Sequence, residues 1–281
     1  GPPEKRNFME SMSCSPRCAA PLERGNGAYA CPRGHSFDIS REGYVHLLPA
    51  NQKHSKAPGD DKEMAAARSR FLSAGYYVHL REALEQLALQ YAGDTPRVLD
   101  SGCGEGYYTA GIHDALAATG RSVTMAGVDI SKFCLRWAAR RTRDVEFAVA
   151  SAYRLPLEDG SADLLVNCFS PLAADEFRRV LVPGGVFLYV VPAADHLWEL
   201  KEVLYDRPYR NPEEAIPYEG FDYLDIVKAG KTIIPRGQDL ADLFRMTPYY
   251  WKTPKEGGAR LSDLEELTVR ANFCVHVFRR R

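Results

Sequence analysis

The stretch VLDSGCGEGYYT (residues 98–109) decides the fold class of this chain. It begins with apolar residues, passes through three alternating glycines, and ends in residues that suit the first turn of a helix. Glycines at such a place let the backbone turn sharply and approach a ligand closely. The pattern predicts a buried strand, a ligand-binding loop and a helix, the first unit of an α/β nucleotide-binding domain. A tight turn with a structural role alone is the alternative.

The residues that follow continue to alternate between strand-like and helix-like segments. SVTMAGVD, ADLLVNCF and VFLYVVP are short apolar runs typical of strands, and KFCLRWAARR and DEFRRVLV lie between them with helical character. Strands that alternate with helices at this spacing predict a doubly wound, mostly parallel sheet. The predicted fold class is therefore α/β, with a Rossmann-like domain beside a small N-terminal module.

Two carboxylates accompany the glycine loop. Asp100 closes the first strand, just before Gly102 and Gly104, and Asp129 closes the next strand. A carboxylate at the place of Asp129 can bond the ribose hydroxyls of a nucleoside. Asp100 would repel the pyrophosphate of a dinucleotide but would attract a sulfonium cation. This charge, and the spacing G-x-G-x-G in place of G-x-G-x-x-G, favour S-adenosylmethionine over a flavin or nicotinamide cofactor.

A second motif lies near the N-terminus, where the ligand pairs C-x3-C and C-x3-H are separated by twelve residues. Zinc takes four tetrahedral nitrogen or sulfur ligands, commonly as two close pairs in turns. The predicted ligands of a closed, structural zinc site are Cys14, Cys18, Cys31 and His35. So small a module has few large apolar side chains, and bound zinc supplies the stability that burial does not. The alternative is a set of buried thiols beside an unrelated histidine.

The charge of the chain is nearly balanced as a whole but not locally. The formal net charge of the 281 residues is −1, which counts mildly against a nucleic-acid partner. The first 56 residues nevertheless carry eight basic and five acidic side chains, a local charge of +3. The runs RRTR (140–143) and RRR (279–281) either extend this basic track or are ordinary solvated charges.

The sequence also indicates where the protein works. No apolar run reaches the roughly 18 residues that a membrane helix needs, and the polar start has no signal-peptide core. We therefore expect a cytoplasmic protein with no membrane partner. Disulfides are rare in that compartment, so clustered cysteines indicate metal ligands or catalytic groups. The scattered cysteines are expected to be small core residues: Cys103, Cys134, Cys168 and Cys274.

Shifts in composition divide the chain into three parts. Residues 1–50 are the predicted zinc-binding, RNA-recognition domain, and residues 51–75 are a polar linker followed by a helix. Residues 76–281 are the Rossmann-like domain, in which the aromatic-rich segment around 196–250 is interpreted as an insertion that covers the site.

In combination the motifs resemble a class I S-adenosylmethionine-dependent methyltransferase over about residues 95–195. The segments that carry this resemblance are VLDSGCGEGYYT, GVDIS, VASAYRLPLEDGSADLLVNCFSP and RVLVPGGVFLYVVP. The whole chain resembles the bacterial 23S rRNA (guanine-N1)-methyltransferases of the RlmA type. This narrower resemblance rests on the cysteine-rich head and on FDISREGYVHLLP, GDDKEMAAARSRFLSAGYY, HLWELK and FRMTPYYWK.

The resemblance implies methyl transfer to N1 of a guanine in a hairpin loop of 23S rRNA, with S-adenosylhomocysteine as product. It also implies a zinc domain and a homodimer, and some members of the family confer resistance to macrolide-type antibiotics. Carried over by position, the resemblance implies that the four predicted ligands of the N-terminal module bind zinc. It also implies that Tyr77, Gly104, Glu105 and His196 contact the cofactor. On the residues alone, packing is the alternative for Tyr77, and a helix cap or a surface position is the alternative for His196. The C-x3-C gap departs from the family's commoner C-x2-C.

The loop NCFSP (167–171) follows the fourth strand of the Rossmann-like domain, where this fold meets its target atom. Methyl transfer requires alignment of the nucleophile, the methyl carbon and the sulfur, and exclusion of water. Asn167 and Ser170 are candidates to bond a base edge, and Phe169 is a candidate to stack on the base. Loop capping and core packing are the alternatives for these residues. Guanine N1 must lose a proton, and the sequence identifies no general base.

Two other classes of function use the same motifs. A methyltransferase that acts on a small molecule or a protein has the same cofactor site, and fold alone does not separate it from an RNA enzyme. The cysteine-rich head and the segment after residue 196 favour a large substrate. A protein that only senses S-adenosylmethionine or RNA is disfavoured by the intact glycine loop.

Overall fold

The computed structural model describes residues 18–48, 58–212 and 219–281. Its N-terminal part is an antiparallel sheet of three short strands, β1 (Glu23–Arg24), β2 (Ala28–Ala30) and β3 (Ser36–Asp38). The turn between β1 and β2 contains Gly27 at a φ of +87°, a conformation that favours glycine. This small sheet carries the described residues of the predicted zinc module.

Eight further strands form the main sheet. They are β4 (Tyr44–His46), β5 (Arg97–Ser101), β6 (Thr124–Asp129), β7 (Glu146–Val149), β8 (Ala162–Cys168), β9 (Leu181–Pro192), β10 (Phe221–Ile233) and β11 (Val269–Arg280). Their order across the sheet is β10-β11-β9-β8-β5-β6-β7-β4. Neighbours from β9 to β4 pair in parallel, whereas β11 is antiparallel to both β9 and β10. The predicted α/β class with a Rossmann-like, mostly parallel sheet is confirmed.

Helices cover both faces of this sheet. They are α1 (Lys62–Ser73), α2 (Val78–Tyr91), α3 (Tyr107–Ala118), α4 (Lys132–Arg141), α5 (Ala174–Val180), α6 (Trp198–Leu204), α7 (Gln238–Met246) and α8 (Lys255–Ser262). Side-chain caps fix two of their starts: Asp61 accepts from the Met64 N–H and Ser131 from the Cys134 N–H. None of the described helices combines the length and the apolar character needed to span a bilayer.

The core lies in two layers, one on each face of the sheet. Val98 of β5 belongs to the apolar cluster that includes Leu80 and Leu84 of α2. The next residue, Leu99, belongs to the opposite cluster, with Phe177 of α5. Both residues are fully buried because successive side chains of a strand point to opposite faces. A strand buried on both sides explains the continuous apolar run in the sequence.

Two elements near the N-terminus, which the sequence assigns to the first two parts of the chain, pack on the main sheet or on its helices. Tyr44–His46, assigned from the sequence to the N-terminal domain, form the edge strand of the main sheet and pair in parallel with β7. Helix α1, assigned with the linker, packs on α7, where the Arg70 guanidinium donates to both oxygens of Asp242 at 3.0 and 2.9 Å. Both elements therefore belong to the body of the Rossmann-like domain.

Residues 196–250, predicted to be an insertion, contribute to the main sheet and to its helices. The segment contains α6, α7 and strand β10, which pairs along its length with β11. The side chains of β10 are mostly exposed, so it lacks the alternation of buried and polar residues by which a strand is predicted. Its backbone pairing, which a sequence does not display, makes it part of the sheet.

Strands β5, β6 and β8 lie side by side and end at Ser101, Asp129 and Cys168. Because they are parallel, their carboxyl ends meet at one edge of the sheet, and in α/β folds ligands bind at this edge. The loops that leave these three strands form the candidate site.

Candidate functional site

The glycine loop leaves β5 with two glycines in the left-handed region. Gly102 has a φ of +78°, and a Cβ there would lie 2.1 Å from Ser170 Oγ. Gly104 has a φ of +57°, and beyond its chain neighbours the nearest described atom that a Cβ would meet is Arg68 Cδ, at 3.9 Å. Gly102 is therefore packed against the loop after β8. Gly104 instead faces a space in which a ligand can approach the backbone.

Asp100, at the end of β5, is a buried carboxyl with one free acceptor. Only 1% of the residue is exposed, and its Oδ2 accepts a 2.7 Å hydrogen bond from the Thr109 hydroxyl. Its Oδ1 is buried and has no hydrogen-bond partner among the described residues. Burial, assisted by the charge of Asp129, raises the pKa of Asp100 to about 7. A buried acceptor of this kind fits a ligand that brings a positive charge or a donor.

Asp129 lies beside it, at the end of β6. Its Oδ1 accepts from the Gly104 N–H at 3.1 Å and its Oδ2 from the Ser131 N–H at 2.9 Å. Burial raises its pKa to about 6, although both hydrogen bonds act in the opposite direction. Asp129 is thus held against the glycine loop that follows Asp100, and its charge acts on Asp100.

Glu105 has its carboxylate turned into the protein. The residue is 1% exposed, its Oε1 accepts from the Tyr107 N–H at 3.0 Å, and its Oε2 accepts from Arg141 Nε at 3.0 Å. Arg141 also donates to Ser73 Oγ at 2.9 Å. The side chain of Glu105 therefore ties the glycine loop to α4 and α1, and its backbone carbonyl also accepts from Arg141 Nε at 3.3 Å.

Aromatic rings form a wall next to the carboxyls. The Tyr77 ring lies edge-on to Phe273, with centroids 5.0 Å apart, and the His196 ring lies 4.4 Å from Phe273. The Nδ1 of His196 accepts a 3.1 Å hydrogen bond from the Asn272 N–H, so the ring proton is placed on Nε2. Burial and the nearby Lys201 lower the pKa of His196 to about 3. Tyr77, whose pKa burial raises, and His196 are thus neutral members of one wall.

The loop after β8 divides into an internal part and an exposed part. Asn167 is fully buried, donates to the Pro171 carbonyl at 3.0 Å, and accepts from Ser170 Oγ at 2.8 Å. Ser170 Oγ also lies 3.0 Å from the Ser101 carbonyl. Phe169 is 45% exposed at a φ of +56°, with its ring 5.4 Å from Phe273. Asn167 and Ser170 thus shape the loop, and Phe169 presents an aromatic ring at the outer end of the wall.

Three predicted zinc ligands converge in the N-terminal sheet. The ligand atoms of Cys18, Cys31 and His35 all lie within 4.8 Å of one another. The two sulfur atoms are 3.7 Å apart, and Cys31 Sγ is 3.3 Å from His35 Nδ1. Two thiolates on one tetrahedral zinc are expected about 3.8 Å apart, given a Zn–S distance of about 2.3 Å. These three residues therefore fit zinc, and the fourth predicted ligand, Cys14, lies outside the described residues.

Comparison with known proteins agrees with this geometry. The model of the RlmA N-terminal zinc ribbon matches residues 13–56, and a methyltransferase domain model matches residues 98–185. The 23S rRNA (guanine(748)-N(1))-methyltransferase of Streptomyces fradiae is 33% identical over 96% of this chain and 98% of its own. The chain belongs to the RlmA-type 23S rRNA (guanine-N1)-methyltransferase family.

One further relative and one solved structure are also similar to this chain. A Bacillus subtilis relative that bears a provisional name for the same activity is 32% identical over 96% of this chain and 99% of its own. Among solved structures, Escherichia coli YjhP is 16% identical and covers 78% of this chain and 99% of its own, with a TM-score of 0.49. These matches confirm the family resemblance that the sequence motifs indicate.

Within this RlmA-type fold, the structure adds an arginine that sequence reasoning missed. Arg68 of α1 lies over Gly104, donates from Nε to Asp60 at 2.9 Å, and donates from Nη2 to the Met246 carbonyl at 3.2 Å. The backbone carbonyl of Asp60 in turn accepts from Ser131 Oγ at 2.6 Å. A cation is thus held at the mouth of an otherwise acidic site. The segment GDDKEMAAARSRFL carries part of the family resemblance, but no signal within it distinguishes Arg68 from the other charged residues.

Phe273 was missed for a different reason. It lies in β11, at the C-terminal end of the described chain, and its side chain is 2% exposed. The antiparallel insertion of β11 beside β9 brings it between Tyr77 and Phe169. Only the sheet order, and no local pattern, could have placed it in the wall.

Proposed function

We propose that this chain transfers the methyl group of S-adenosylmethionine to N1 of a guanine in a hairpin loop of 23S rRNA. The observation that carries the proposal is the wall of rings that runs from the buried Tyr77 through Phe273 to the exposed Phe169. One end of this wall adjoins a site suited to a cationic nucleoside, and the other end offers a ring on which a base can stack. The names of two relatives that match almost the full chain support the same activity.

The residues around the glycine loop fit S-adenosylmethionine. Asp129 is assigned to the ribose hydroxyls, and the free Oδ1 of Asp100 to the positively charged part of the cofactor. Arg68 is the cation at this site and is assigned to the cofactor's carboxylate. Tyr77 and His196 are assigned to the wall beside the cofactor. When bound, the cofactor supplies an electrophilic methyl group on a sulfonium.

The protein's own part in the reaction is to position the guanine and exclude water. Phe169 is assigned to stacking on the base, and Asn167 and Ser170 hold the loop that presents it. His196 is unsuited to take the N1 proton, because its Nδ1 is already an acceptor and its pKa is about 3. The proton is therefore assigned to water, with no protein base.

The proposal extends to how the substrate is held and to the setting of the enzyme. The zinc-bound head, with its local positive charge, is assigned to the phosphate backbone of the rRNA hairpin. The family resemblance adds a homodimer, a cytoplasmic location and a link to macrolide-type antibiotic resistance. These assignments are parts of the proposal that separate experiments address.

The test is to incubate the protein with methyl-labelled S-adenosylmethionine and either 23S rRNA or cell extract depleted of RNA. We expect label in a single guanine of 23S rRNA, where a methyl on N1 blocks base pairing and stops reverse transcription. Asp129→Ala is the negative control, and Asp175→Ala, a fully exposed carboxylate, is the matched neutral control. Label that enters only proteins or metabolites would overturn the proposal and favour the alternative substrate class.

A further inference from the structure

Two segments outside the cofactor site meet to form one surface. Residues 205–212 follow α6, and residues 245–260 run from the end of α7 into α8. The rings of Tyr205 and Tyr249 lie 6.2 Å apart, and Gly257 is so close to Leu204 that a Cβ there would lie 2.1 Å from its carbonyl oxygen. We refer to residues 205–212 and 245–260 together as the aromatic-basic surface.

A buried lysine fixes this surface in place. Lys201 of α6 is fully buried and donates to the Tyr209 carbonyl at 2.9 Å and to Asn211 Oδ1 at 3.0 Å. Its ammonium also lies over the rings of Tyr209 and Tyr249, at 4.6 and 5.3 Å from their centroids. The two segments are therefore ordered in advance of any partner, which lowers the entropy cost of binding.

The surface presents two large aromatic rings to solvent. Trp251 is 67% exposed and Tyr209 is 56% exposed. The Trp251 ring is supported by Tyr250, with ring centroids 5.0 Å apart, and Arg245 lies 4.4 Å from the centroid of Tyr250. A supported and exposed indole is suited to stacking, because every nucleobase offers a flat π-face.

The surface is also strongly basic. It contains six basic and two acidic residues, a local charge of +4 in a chain whose formal net charge is −1. Within the described ranges, no ion pair is formed by Arg210, Lys252 or Lys255, and all three are exposed. Unpaired cations among exposed rings favour a polyanion with flat groups over a neutral apolar partner.

The surface borders the cofactor site. Met246, within it, accepts a 3.2 Å hydrogen bond from Arg68, the arginine over Gly104. Tyr249 is buried and belongs to the same apolar cluster as Tyr77 of the wall. The aromatic-basic surface is thus joined to the cofactor site through Met246 and through the packing of Tyr249.

We propose that the aromatic-basic surface is a second contact for the rRNA substrate, distinct from the zinc-bound head. Trp251 and Tyr209 stack on unpaired bases that flank the target guanine, and Arg210, Lys252 and Lys255 neutralise the adjoining phosphates. This inference rests on the proposed function, because it names a binding surface for the same substrate.

The test measures binding of a fluorescently labelled 23S rRNA hairpin fragment by anisotropy, with S-adenosylhomocysteine present. Trp251→Ala is expected to weaken binding about 5- to 150-fold, the effect of losing one stacked base, and Trp251→Phe less. Lys252→Gln with Lys255→Gln is expected to lower the salt dependence of binding. Tyr153→Ala is the matched control, because Tyr153 is a 65% exposed ring outside the surface. Calorimetry with S-adenosylhomocysteine alone is expected to be unchanged in all variants.

A second readout uses the tryptophans, of which the chain has three. In the double variant Trp137→Phe, Trp198→Phe, Trp251 is the one remaining tryptophan. RNA binding is expected to quench its fluorescence. Unchanged RNA affinity in Trp251→Ala and Tyr209→Ala, with no quenching, would overturn the inference while wild-type rRNA methylation upholds the proposed function. A change in oligomeric state without a change in RNA affinity would also overturn it. Absence of rRNA methylation by the wild type would reject both.

Discussion

Asp129 accepts a 3.1 Å hydrogen bond from the backbone N–H of Gly104, so the carboxyl that ends β6 is held against the loop that follows β5. Asp100 ends the neighbouring strand, and its charge acts on the same space. Burial raises the pKa of Asp100 to about 7 and that of Asp129 to about 6. Two carboxyls of the candidate site therefore titrate close to neutral pH.

The affinity for S-adenosylmethionine is expected to rise with pH between about 5 and 8. A cationic ligand lowers the pKa of nearby carboxyls, so the bound state holds fewer protons than the free state and binding releases protons. Calorimetry in two buffers of different ionisation enthalpy measures this release. In Asp100→Asn the release is expected to shrink, whereas in the exposed control Asp175→Asn it is expected to match the wild type. Proton uptake, or an affinity independent of pH, would contradict the prediction.

The ion pair between Arg141 and Glu105 is expected to stabilise the glycine loop as long as both partners are present. Arg141→Met leaves a buried carboxylate without its partner, which costs about 3–5 kcal/mol in the free energy of unfolding. The double variant Glu105→Gln, Arg141→Met is expected to recover much of this loss. Urea unfolding measures it, with Arg140→Met, a more exposed neighbour, as control. Equal losses in the Arg141 and Arg140 variants would show that the buried pair has no special role.

Bound zinc is expected to stabilise both the N-terminal module and β4, the edge strand of the main sheet. We expect one zinc per chain by elemental analysis, and loss of zinc in Cys31→Ser and His35→Ala. Because β4 follows the cysteine-rich segment and pairs with β7, loss of zinc should also increase amide exchange at Tyr44–His46. Cys274→Ser, a buried cysteine of β11, is the control. Retention of zinc in Cys31→Ser, or unchanged exchange in β4 after chelation, would count against this coupling.

The sequence allowed the strand, loop and helix around residues 98–109 to be predicted, because glycine spacing and apolar runs are local signals. Asp100 and Asp129 were found by the same reasoning, since strand ends follow from the pattern. Phe273 and Arg68 were not, because the order of strands and the packing of α1 bring them to the site. Asn167 shows a different limit of the sequence, which does not reveal burial. Its polar side chain suggested a contact with a base, but Asn167 is buried and its amide donates to the backbone of its own loop.

Arg68 is expected to recognise the carboxylate of the cofactor. Arg68→Gln should weaken binding of S-adenosylhomocysteine about 10- to 150-fold, because a hydrogen bond between charged groups contributes about 1.5–3 kcal/mol. The matched ligand is decarboxylated S-adenosylhomocysteine, for which the loss should be small. Calorimetry of both ligands with the wild type and with Arg68→Gln gives the four affinities that the comparison needs. Arg68→Lys should restore part of the preference for the ligand that carries a carboxylate. An equal loss for the two ligands would mean that Arg68 acts only by holding Asp60 and Met246.

Phe169 separates substrate binding from cofactor binding. Its ring is exposed at the end of the wall, and its positive φ places it outside the region that most side chains prefer. Phe169→Ala is expected to lower kcat/KM for rRNA about 5- to 150-fold through loss of one stacked base, and to leave the Kd for S-adenosylhomocysteine unchanged. Asn167→Ala, in contrast, should lower both cofactor affinity and Tm, because Ser170 and the packing against Gly102 depend on it. Steady-state methylation, calorimetry and thermal melts of the two variants distinguish these roles. If Phe169→Ala and Asn167→Ala lost cofactor affinity alike, the loop would be a structural unit and Phe169 would have no separate task in holding the guanine.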